Sequence, residues 1–390
     1  MKKLIYIAYI DKNKEVGVFK KVNAQCNEFS KYYETILIYK NENNICIKNF
    51  NESAINEFKN VLDITYDTKI KKIKNISVFN HFVKELISNE HPQILYIRKY
   101  NLLKSGIKII KNYKLCSPKY VIYEIPTYPY KEELIINKRY LTYLLSKSFD
   151  DYMSRTADLL TVILGKEVKL HSKKYMPIFN GIDINEINIK IQNNINKNVI
   201  NIVGIANISF WHGYDRVIEG LKNYYNINEN HKIIVNFHIV GEGAQLDDLK
   251  KLAYRYNLND YVIFHGVTIG KQLDKIIDYC DIAIGSIANH RKGLTKDSAL
   301  KNREYCARGI PFIIASKDNS FKNFKYIHKI SADEVPVNIE ELIDFYNNIK
   351  DQDYINEMRE YAKNNLTWEA VMQPVVKAIE KNFNNESISY

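Results

Sequence analysis

The second half of this sequence alternates short apolar segments with amphipathic ones, and this alternation restricts the fold more than any other feature. Each apolar segment has the length and composition of a buried strand, and the segments between them have the period of a helix. Parallel strands need such helices, because the chain must return to the same edge of the sheet before each strand. We therefore predict a doubly wound parallel sheet whose strands cover residues 200–205, 233–240, 262–264 and 281–284.

The first half repeats the pattern less regularly. Its first apolar run, residues 4–10, is followed by a basic loop with Gly17 and then by a predicted helix at 19–33. We expect an α/β fold made of two Rossmann-like doubly wound parallel-sheet domains, residues 1–184 and 185–367. Other predicted elements are strands at 35–39, 45–50, 94–97, 120–123 and 159–163, helices at 78–88, 102–113 and 131–155, and a linker at 185–198.

The net positive charge of the chain comes from its first half. The net charge is +11, and residues 1–184 hold 31 Lys and Arg against 19 Asp and Glu, a net of +12. A basic domain attracts anionic partners such as phospholipid headgroups or pyrophosphate-linked substrates, although the same charge can serve solubility alone. A nucleic-acid-binding protein is the non-enzymatic alternative, and no recognisable binding motif accompanies the basic residues. We therefore expect no nucleic-acid partner.

Cysteine usage and hydropathy indicate a cytoplasmic protein. The five cysteines stand singly, without a zinc-ligand spacing, and their odd number argues against a disulfide framework. The first apolar run is short, is followed by charges and lacks a small-residue cleavage site, so it is interpreted as a strand and not as a signal segment. No apolar stretch reaches the length of a transmembrane helix. Peripheral attachment to the inner face of the cytoplasmic membrane stays open.

Residues 293–315 contain the side chains that we most expect to bind a ligand. A helix is predicted at 298–307, followed by Gly309 in a conformation with positive φ and then by an apolar strand. Ser298, Lys301 and Glu304 are spaced by three residues and share one face near the start of that helix. A hydroxyl, an ammonium and a carboxylate at a helix N-terminus suit a phosphate and a sugar hydroxyl.

Two other loops follow predicted strands. Trp211, His212 and Gly213 can stack a base or approach a phosphate, although a structural Trp and a capping His are equally consistent with them. In the first half, Pro126 and Pro129 end regular structure after a strand, so that Glu124 projects from a rigid loop at a strand end. A plain surface turn is the alternative there.

Two such domains leave a cleft between the C-terminal ends of their sheets. Ser298, Lys301 and Glu304 are expected on one wall, and Gly17 and Glu124 on the other. A phosphate bound in this cleft would be stabilised by fixed cations and helix N-terminal amides. Lys301 is the main candidate for that role.

A resemblance runs through most of the chain. The sequence resembles the two-Rossmann-domain (GT-B) glycosyltransferases of family 4, or group 1, which make bacterial polysaccharides and glycolipids. The late helix at 368–390 resembles the terminal helix of that family, which returns to the first domain. The segments that carry the resemblance are EVGVFKKV at 15–22, NGID at 180–183, WHGYDRVIEGL at 211–221, HIVGEGAQLDDLKKLA at 238–253, VIFHGV at 262–267 and GLTKDSALKNREYCARGIPFI at 293–313.

The resemblance implies roles for individual residues. A carboxylate at the position of Glu304 holds the ribose of the nucleotide sugar, Lys301 lies near the diphosphate, and the backbone at Gly17 approaches the phosphates. The charge argument, and not the resemblance, adds His212 and Arg216 as candidate helpers of Lys301 in stabilising the phosphates. The implied reaction is a retaining, metal-independent transfer from a UDP- or GDP-sugar to a glycan or lipid-linked acceptor, with no cofactor.

The sequence also departs from the family pattern. Lys296 stands where many members have a second Glu, and residues 297–299 differ from the usual sugar-contacting residues. Glu124 stands in the general place of a family His, so that its role as a catalytic base or sugar contact is a hypothesis. Two alternatives therefore stay open: a nucleotide-sugar epimerase or hydrolase on the same scaffold, and a degenerate family member that serves as a scaffold for another transferase.

Overall fold

The computed structural model describes residues 1–52, 55–58, 69–100, 103–115, 119–128, 150–165, 174–192, 198–227 and 233–386. The chain divides into two compact units. The described residues of the first unit lie within Met1–Leu164, Val168–Phe179 and Val371–Tyr390, and those of the second lie within Gly165–Glu167 and Asn180–Ala370.

The described strands of the first unit form one sheet in the order β4-β3-β2-β1-β5-β6-β7-β8. Strand β3 is antiparallel to both of its neighbours, and the other neighbouring pairs are parallel. The strands are β1 Lys3–Asp11, β2 Glu34–Asn41, β3 Asn44–Asn49, β4 Ile55–Phe58, β5 Ile94–Arg98, β6 Tyr120–Tyr128, β7 Leu159–Leu164 and β8 Tyr175–Pro177. The labelled helices of this unit are α1 Val16–Ser30, α2 Lys69–Glu90 and α3 Leu103–Lys114.

The centre of this sheet is covered on both faces. All five residues of β5 are buried, and so are seven of the nine residues of β1. Near-continuous apolar strands are therefore expected here, because neither face of the sheet meets water. Ile5 of β1 lies beside Leu95 of β5 and packs with Phe79 and Val83 of α2 in one core.

The second unit contains a parallel sheet in the order β11-β10-β9-β12-β13-β14. Successive residues of its strands belong to two different apolar clusters: Ile202 lies in one cluster and Val203 in the other. This alternation is typical of a doubly wound sheet, which is covered on both faces. Its strands are β9 Val199–Ile205, β10 Ile234–Val240, β11 Val262–Gly266, β12 Ile282–Ile284, β13 Phe312–Ile314 and β14 Ile327–Lys329. The helices that follow α3 are α4 Tyr214–Ile227, α5 Leu246–Arg255, α6 Gly270–Tyr279, α7 Leu300–Arg308, α8 Ile339–Ile349, α9 Tyr354–Asn365 and α10 Trp368–Glu386.

The predicted α/β class with two parallel-dominated sheets is confirmed, whereas several local boundaries are wrong. Gly17 lies in the first turn of α1 and not in a loop. Ser298 precedes helix α7, which begins at Leu300. Glu124 lies inside β6 and not in a loop after it, because pairing with β7 extends that strand to Tyr128. Strands β4 and β14 were not predicted, and most of the predicted helix at 131–155 lies outside the described residues.

The last helix, α10, continues through Pro374, where the sequence predicts a kink or a break. Proline removes one backbone hydrogen bond, but the helix also has a buried apolar face that holds it in place. Met372, Val375 and Ile379 on that face are at most 1% exposed. In the described part of the chain, no helix combines the length and the apolar character that are needed to cross a bilayer.

Candidate functional site

The site residues of the second unit follow the C-terminal ends of its parallel strands. After β9 the chain forms the short 3₁₀ turn Phe210–His212, and after β12 it forms a second one, Asn289–Lys292. Helix α7 begins shortly afterwards at Leu300. Ligands of open α/β sheets bind at this edge, so the loops at 206–213 and 285–299 and the start of α7 form the candidate site.

Two glycines allow these loops to pack closely. Gly213 ends the first 3₁₀ turn with φ 72°, and a Cβ atom there would lie 2.7 Å from Cγ1 of Ile287 in the loop after β12. Gly241 has φ 122°, and its Cβ would lie 1.9 Å from the carbonyl oxygen of Ala206. The Gly-Glu-Gly segment at 241–243 therefore supports the loop after β9, as expected for a tight turn.

Three neighbouring rings, two in the first loop and one at the start of α4, lie between two lysines. The ring centroids of Trp211 and His212 are 5.7 Å apart, and those of His212 and Tyr214 are also 5.7 Å apart. The Nζ atom of Lys292 lies 4.4 Å from the ring centroid of Trp211. The Nζ atom of Lys301 lies 5.7 Å from that of Tyr214. The imidazole is thus flanked by two ammonium groups, each held against a neighbouring aromatic ring.

His212 is fixed as a neutral hydrogen-bond donor. Its side chain is buried, and its Nδ1 atom accepts a hydrogen bond from the backbone N–H of Ser209 at 3.0 Å. Burial and the charges of Lys301 and Lys292 lower the pKa of His212 to about 3. Because Nδ1 accepts, the proton of the neutral ring is on Nε2, which can donate to a ligand.

Lys301 carries a buried ammonium group on helix α7. Its Nζ atom is shielded from solvent and has no hydrogen-bond partner within the described structure. Burial lowers the pKa of Lys301 to about 7; Asp297 and Glu304 oppose this shift, and Lys292 adds to it. A buried cation without a hydrogen bond is costly, and an anionic ligand would supply the missing interaction.

Glu304 lies one turn further along α7 and is exposed at the surface of the unit. Positions 301 and 304 both lie in α7, so they share one helix face as predicted. The Lys301 side chain is half-buried, and the Glu304 side chain is accessible. The ribose-binding role of Glu304 stays a prediction.

Ser298 has a structural contact that the sequence did not indicate. Its Oγ atom accepts a hydrogen bond from the backbone N–H of Asn180 at 3.0 Å, and the Asn180 side chain donates to the Ser298 carbonyl at 2.8 Å. Next to it, the carboxylate of Asp297 accepts a bond from the Asn289 amide at 3.0 Å. The Asn-Gly turn thus anchors the segment before α7, and a direct role of Ser298 in donor binding stays a prediction.

A buried arginine, Arg216, binds backbone carbonyls and so stabilises the loop after β12. Arg216 is 2% exposed, and its guanidinium donates to the carbonyl of Ile287 at 2.6 Å and of Val335 at 2.8 Å. The guanidinium also pairs with Asp333 at 3.2 Å. These contacts give Arg216 a clear structural function, whereas its predicted contact with phosphate stays a prediction.

Arg291 connects the two 3₁₀ turns. Its guanidinium binds the carboxylate of Asp215 through two nitrogens, at 2.6 and 3.1 Å, and donates to the carbonyl of Phe210 at 2.5 Å. It also binds Glu334 at 3.0 Å. Nothing in the sequence pattern singled out this residue, because all of its partners are more than 40 positions away.

The two predicted site residues of the first unit lie in different settings. Glu124 is fully buried and accepts hydrogen bonds from Tyr96 at 2.7 Å and Gln25 at 3.0 Å. It pairs with Arg98 and, at 3.2 Å, with Lys21 of α1. Burial alone would raise the pKa of Glu124, but the two cations lower it to about 2. The carboxylate is therefore a buried, ionised partner of two cations, and its catalytic role stays a prediction.

Gly17 lies in an exposed part of α1, where a Cβ atom would meet nothing within 4 Å. The space around this first helical turn leaves its backbone accessible, which is compatible with the predicted approach to a phosphate. Among the described residues, no group of three His, Cys, Asp or Glu side chains is arranged to hold a metal ion.

Known proteins share this architecture. Residues 185–364 match the family model described as glycosyl transferases group 1. No curated protein sequence is significantly similar to the chain. Among solved structures, a sucrose-phosphate synthase from Thermosynechococcus elongatus is 12% identical, with a TM-score of 0.64 over 99% of this chain and 100% of that one.

Two further structures cover nearly the whole chain. The lipopolysaccharide outer core galactosyltransferase WaaB, in its apo form, is 11% identical, with a TM-score of 0.59 over 100% of this chain and 99% of that one. A trehalose-6-phosphate protein from E. coli, bound with UDP-2-fluoro glucose, is 12% identical, with a TM-score of 0.58 over 96% of this chain and 98% of that one. At these identities the likeness concerns the fold.

Proposed function

We propose that this chain, whose residues 185–364 match the group 1 glycosyltransferase family, transfers a sugar from a nucleoside diphosphate sugar to a glycan or lipid-linked acceptor. The donor is a UDP- or GDP-sugar, and the transfer is metal-independent and retaining. The observation that carries this proposal is the buried ammonium of Lys301, which has no hydrogen-bond partner in the described structure and lies one helical turn before the exposed Glu304.

The chemistry of the reaction explains why such a cation is needed. The bond between the anomeric carbon and the β-phosphate oxygen breaks, and its electron pair stays on that oxygen. The acceptor oxygen bonds to the anomeric carbon, and its proton passes to the departing phosphate. Negative charge therefore develops on the diphosphate, where a preorganised cation in a partly desolvated site stabilises the transition state. Lys301 and the N-terminus of α7 supply positive charge at this place.

Glu304 is suited to the ribose of the donor. A carboxylate accepts two hydrogen bonds from neighbouring hydroxyl groups, and this one is exposed on the same helix face as Lys301. The separation of one turn lets the cation meet the diphosphate while the carboxylate meets the sugar next to it. A protein of similar fold binds UDP-2-fluoro glucose, which supports a uridine donor as the first choice for testing.

The acceptor side is inferred from charge. Helices α2 and α3 together contain nine Lys and two Glu. A groove of about 570 Å³ runs between them, with Ile87, Ile109 and Tyr113 among its apolar lining. Among the described residues, no Asp or Glu lines the groove, and its lysine side chains are Lys84, Lys108 and Lys119. His81 and His91 also line it. This surface favours a lipid-linked acceptor at an anionic membrane face.

The proposal is tested with nucleotide sugars and two substitutions. A thermal-shift screen of UDP-, GDP- and ADP-sugars is expected to find one class that stabilises the protein, and that donor is then supplied with candidate acceptors. Lys301→Ala should lower transfer on the order of 10²-fold, and Glu304→Gln should chiefly weaken donor binding. Full transfer by Lys301→Ala would refute the assignment.

Product analysis separates the alternatives. Nuclear magnetic resonance of the product gives the anomeric configuration, and inversion would contradict a retaining reaction. Incubation with donor alone distinguishes a hydrolase or epimerase, because a transferase leaves most of the donor sugar unchanged without an acceptor. Activity that survives chelation of divalent cations supports metal independence.

A further inference from the structure

We propose that Lys292 is a second phosphate-binding cation and that it forms, with Lys301 and the Nε2–H group of His212, a single site for the diphosphate of the leaving nucleotide. This inference rests on the proposed function, because it assumes a nucleoside diphosphate donor. It assigns a role to a residue of the loop after β12, whereas the sequence pointed only to helix α7 and to the loop after β9.

The first support is the position of the two ammonium groups. Lys292 and Lys301 lie at opposite ends of the three neighbouring rings, at 4.4 Å from Trp211 and 5.7 Å from Tyr214. The partially negative face of each ring attracts the ammonium group beside it, and this attraction holds the two lysine stems in place. The imidazole of His212 lies between them, and both ammonium charges act on it.

The second support is the tautomer of His212. The backbone N–H of Ser209 occupies Nδ1, so Nε2 carries the proton and donates. A neutral donor between two cations suits an oxygen that bridges or flanks two phosphate groups, because it adds a hydrogen bond without a third like charge. A diphosphate has phosphate oxygens at both ends and so can contact both lysines at once.

The third support is the charge of the surroundings. Asp297 and Glu304 are the carboxylates that act on Lys301, and Asp297 is bonded to Asn289. Two further carboxylates near the first loop, Asp215 and Glu334, bind Arg291. A diphosphate would add negative charge beside the two lysines and the uncharged imidazole, and each of the three groups favours an anion.

The fourth support is the rigid backbone that carries Lys292. The preceding residue, Arg291, is fixed by Asp215 and Glu334 and by the carbonyl of Phe210. The following residue, Gly293, ends the 3₁₀ turn with φ 68°. Lys292 is thus presented from a fixed turn, which reduces the entropy lost when its ammonium binds a ligand.

The test compares three variants of Lys292 with a matched control. Lys292→Ala removes the whole side chain, Lys292→Met keeps the apolar stem over Trp211, and Lys292→Arg keeps the charge. Lys222→Ala is the control, because Lys222 lies over Tyr256 at 4.7 Å in the same kind of contact on helix α4. Calorimetry measures the affinity of each protein for UDP, GDP, ADP and inorganic pyrophosphate, and thermal unfolding checks that each variant folds.

We expect Lys292→Ala and Lys292→Met to bind pyrophosphate and the preferred nucleoside diphosphate at least tenfold more weakly, and Lys292→Arg to retain most of the affinity. Lys222→Ala should bind within twofold of the unmodified protein. Loss of Lys292 should also move the alkaline limb of the pH–rate profile to higher pH, since one charge that lowers the pKa of Lys301 is gone.

Two results would overturn the inference, and they are distinguishable. If the unmodified protein binds a nucleoside diphosphate and both uncharged variants bind it equally well, Lys292 is not a phosphate ligand and the proposed function stands. If the unmodified protein binds neither pyrophosphate nor any of the three nucleotides, the inference and the proposed donor class fall together.

Discussion

Arg303 and Asp318 form an ion pair in which both side chains are completely buried, with NH1 of the arginine 2.8 Å from Oδ2 of the aspartate. Arg303 also donates to the carbonyls of Asn180 at 2.6 Å and Ala299 at 3.0 Å. The pair therefore joins helix α7, the segment before it and the Asn-Gly turn. Because Lys301 lies on the same helix, this pair helps to fix the helix that carries the Lys301 ammonium group.

Removing one partner of the pair should be strongly destabilising. Asp318→Asn leaves the guanidinium of Arg303 buried without its counter-ion, and we expect a loss of about 3–5 kcal/mol in the free energy of unfolding. Urea denaturation measures this loss. Lys325→Ala is the control, since that residue pairs with Glu357 at an exposed site, and it should cost less than about 1 kcal/mol. Equal effects of the two substitutions would contradict the role of the buried pair.

The activity should fall as the pH rises through about 7. Burial lowers the pKa of Lys301 to about 7, so its ammonium is present below that pH and is lost above it. The alkaline limb of kcat/KM, which reports the free enzyme, should therefore lie near pH 7.

Lys301→Arg is the informative variant for this limb. A guanidinium stays charged to high pH, so the limb should disappear while part of the activity remains. An unchanged limb in Lys301→Arg would show that another group titrates.

The free energy of unfolding should decrease as the pH is lowered from about 6.5 to about 4. His238 lies in β10, its Nδ1 is 2.9 Å from Nε2 of His265, and burial together with the His265 charge lowers the pKa of His238 to about 4. The folded pKa is thus below that of the unfolded chain, near 6.5. The unfolded state binds more protons in this window, so stability is retained above pH 6.5 and decreases by up to about 1.4 kcal/mol per pH unit for each such histidine.

Replacing both histidines isolates this effect. His238→Leu combined with His265→Phe should flatten the pH dependence between pH 4 and 6.5, with a remaining slope from His212, whose pKa is also lowered. Urea titrations at pH 8, where both imidazoles are neutral, give the packing cost of the substitutions alone. A double variant with the full original slope would contradict the assignment.

Vesicle binding should depend on the basic face of α2 and α3. Lys84→Glu with Lys108→Glu reverses two charges at the groove between these helices. At about 1 kcal/mol per basic residue near an anionic surface, we expect at least a tenfold loss of binding to vesicles with anionic lipid. The matched control is Lys250→Glu with Lys251→Glu, on exposed positions of α5. Vesicle binding that depends neither on anionic lipid nor on Lys84 and Lys108 would refute the membrane proposal.

The sequence predicts those features that depend on local pattern. The strand and helix periods gave the two α/β units, and the spacing of Lys301 and Glu304 placed them on one helix face. Glu124 was assigned to a loop because Pro126 follows it closely, but the pairing of β6 with β7 keeps that segment in the sheet. Lys292 was missed for a different reason: its position beside Trp211 depends on a turn that Arg291 fixes through distant carboxylates.

The helix α10 has a consequence for how the protein is made. From Val371 onward the helix belongs to the first unit, where Glu380 accepts a hydrogen bond from Tyr33 at 2.8 Å and Met372 contacts Gln25. A ribosome therefore completes residues 180–370 before it has released the segment that finishes the first unit. The unit encoded second can reach its native contacts first, and the amino-terminal half must wait, with part of its core uncovered, for the last helix to emerge.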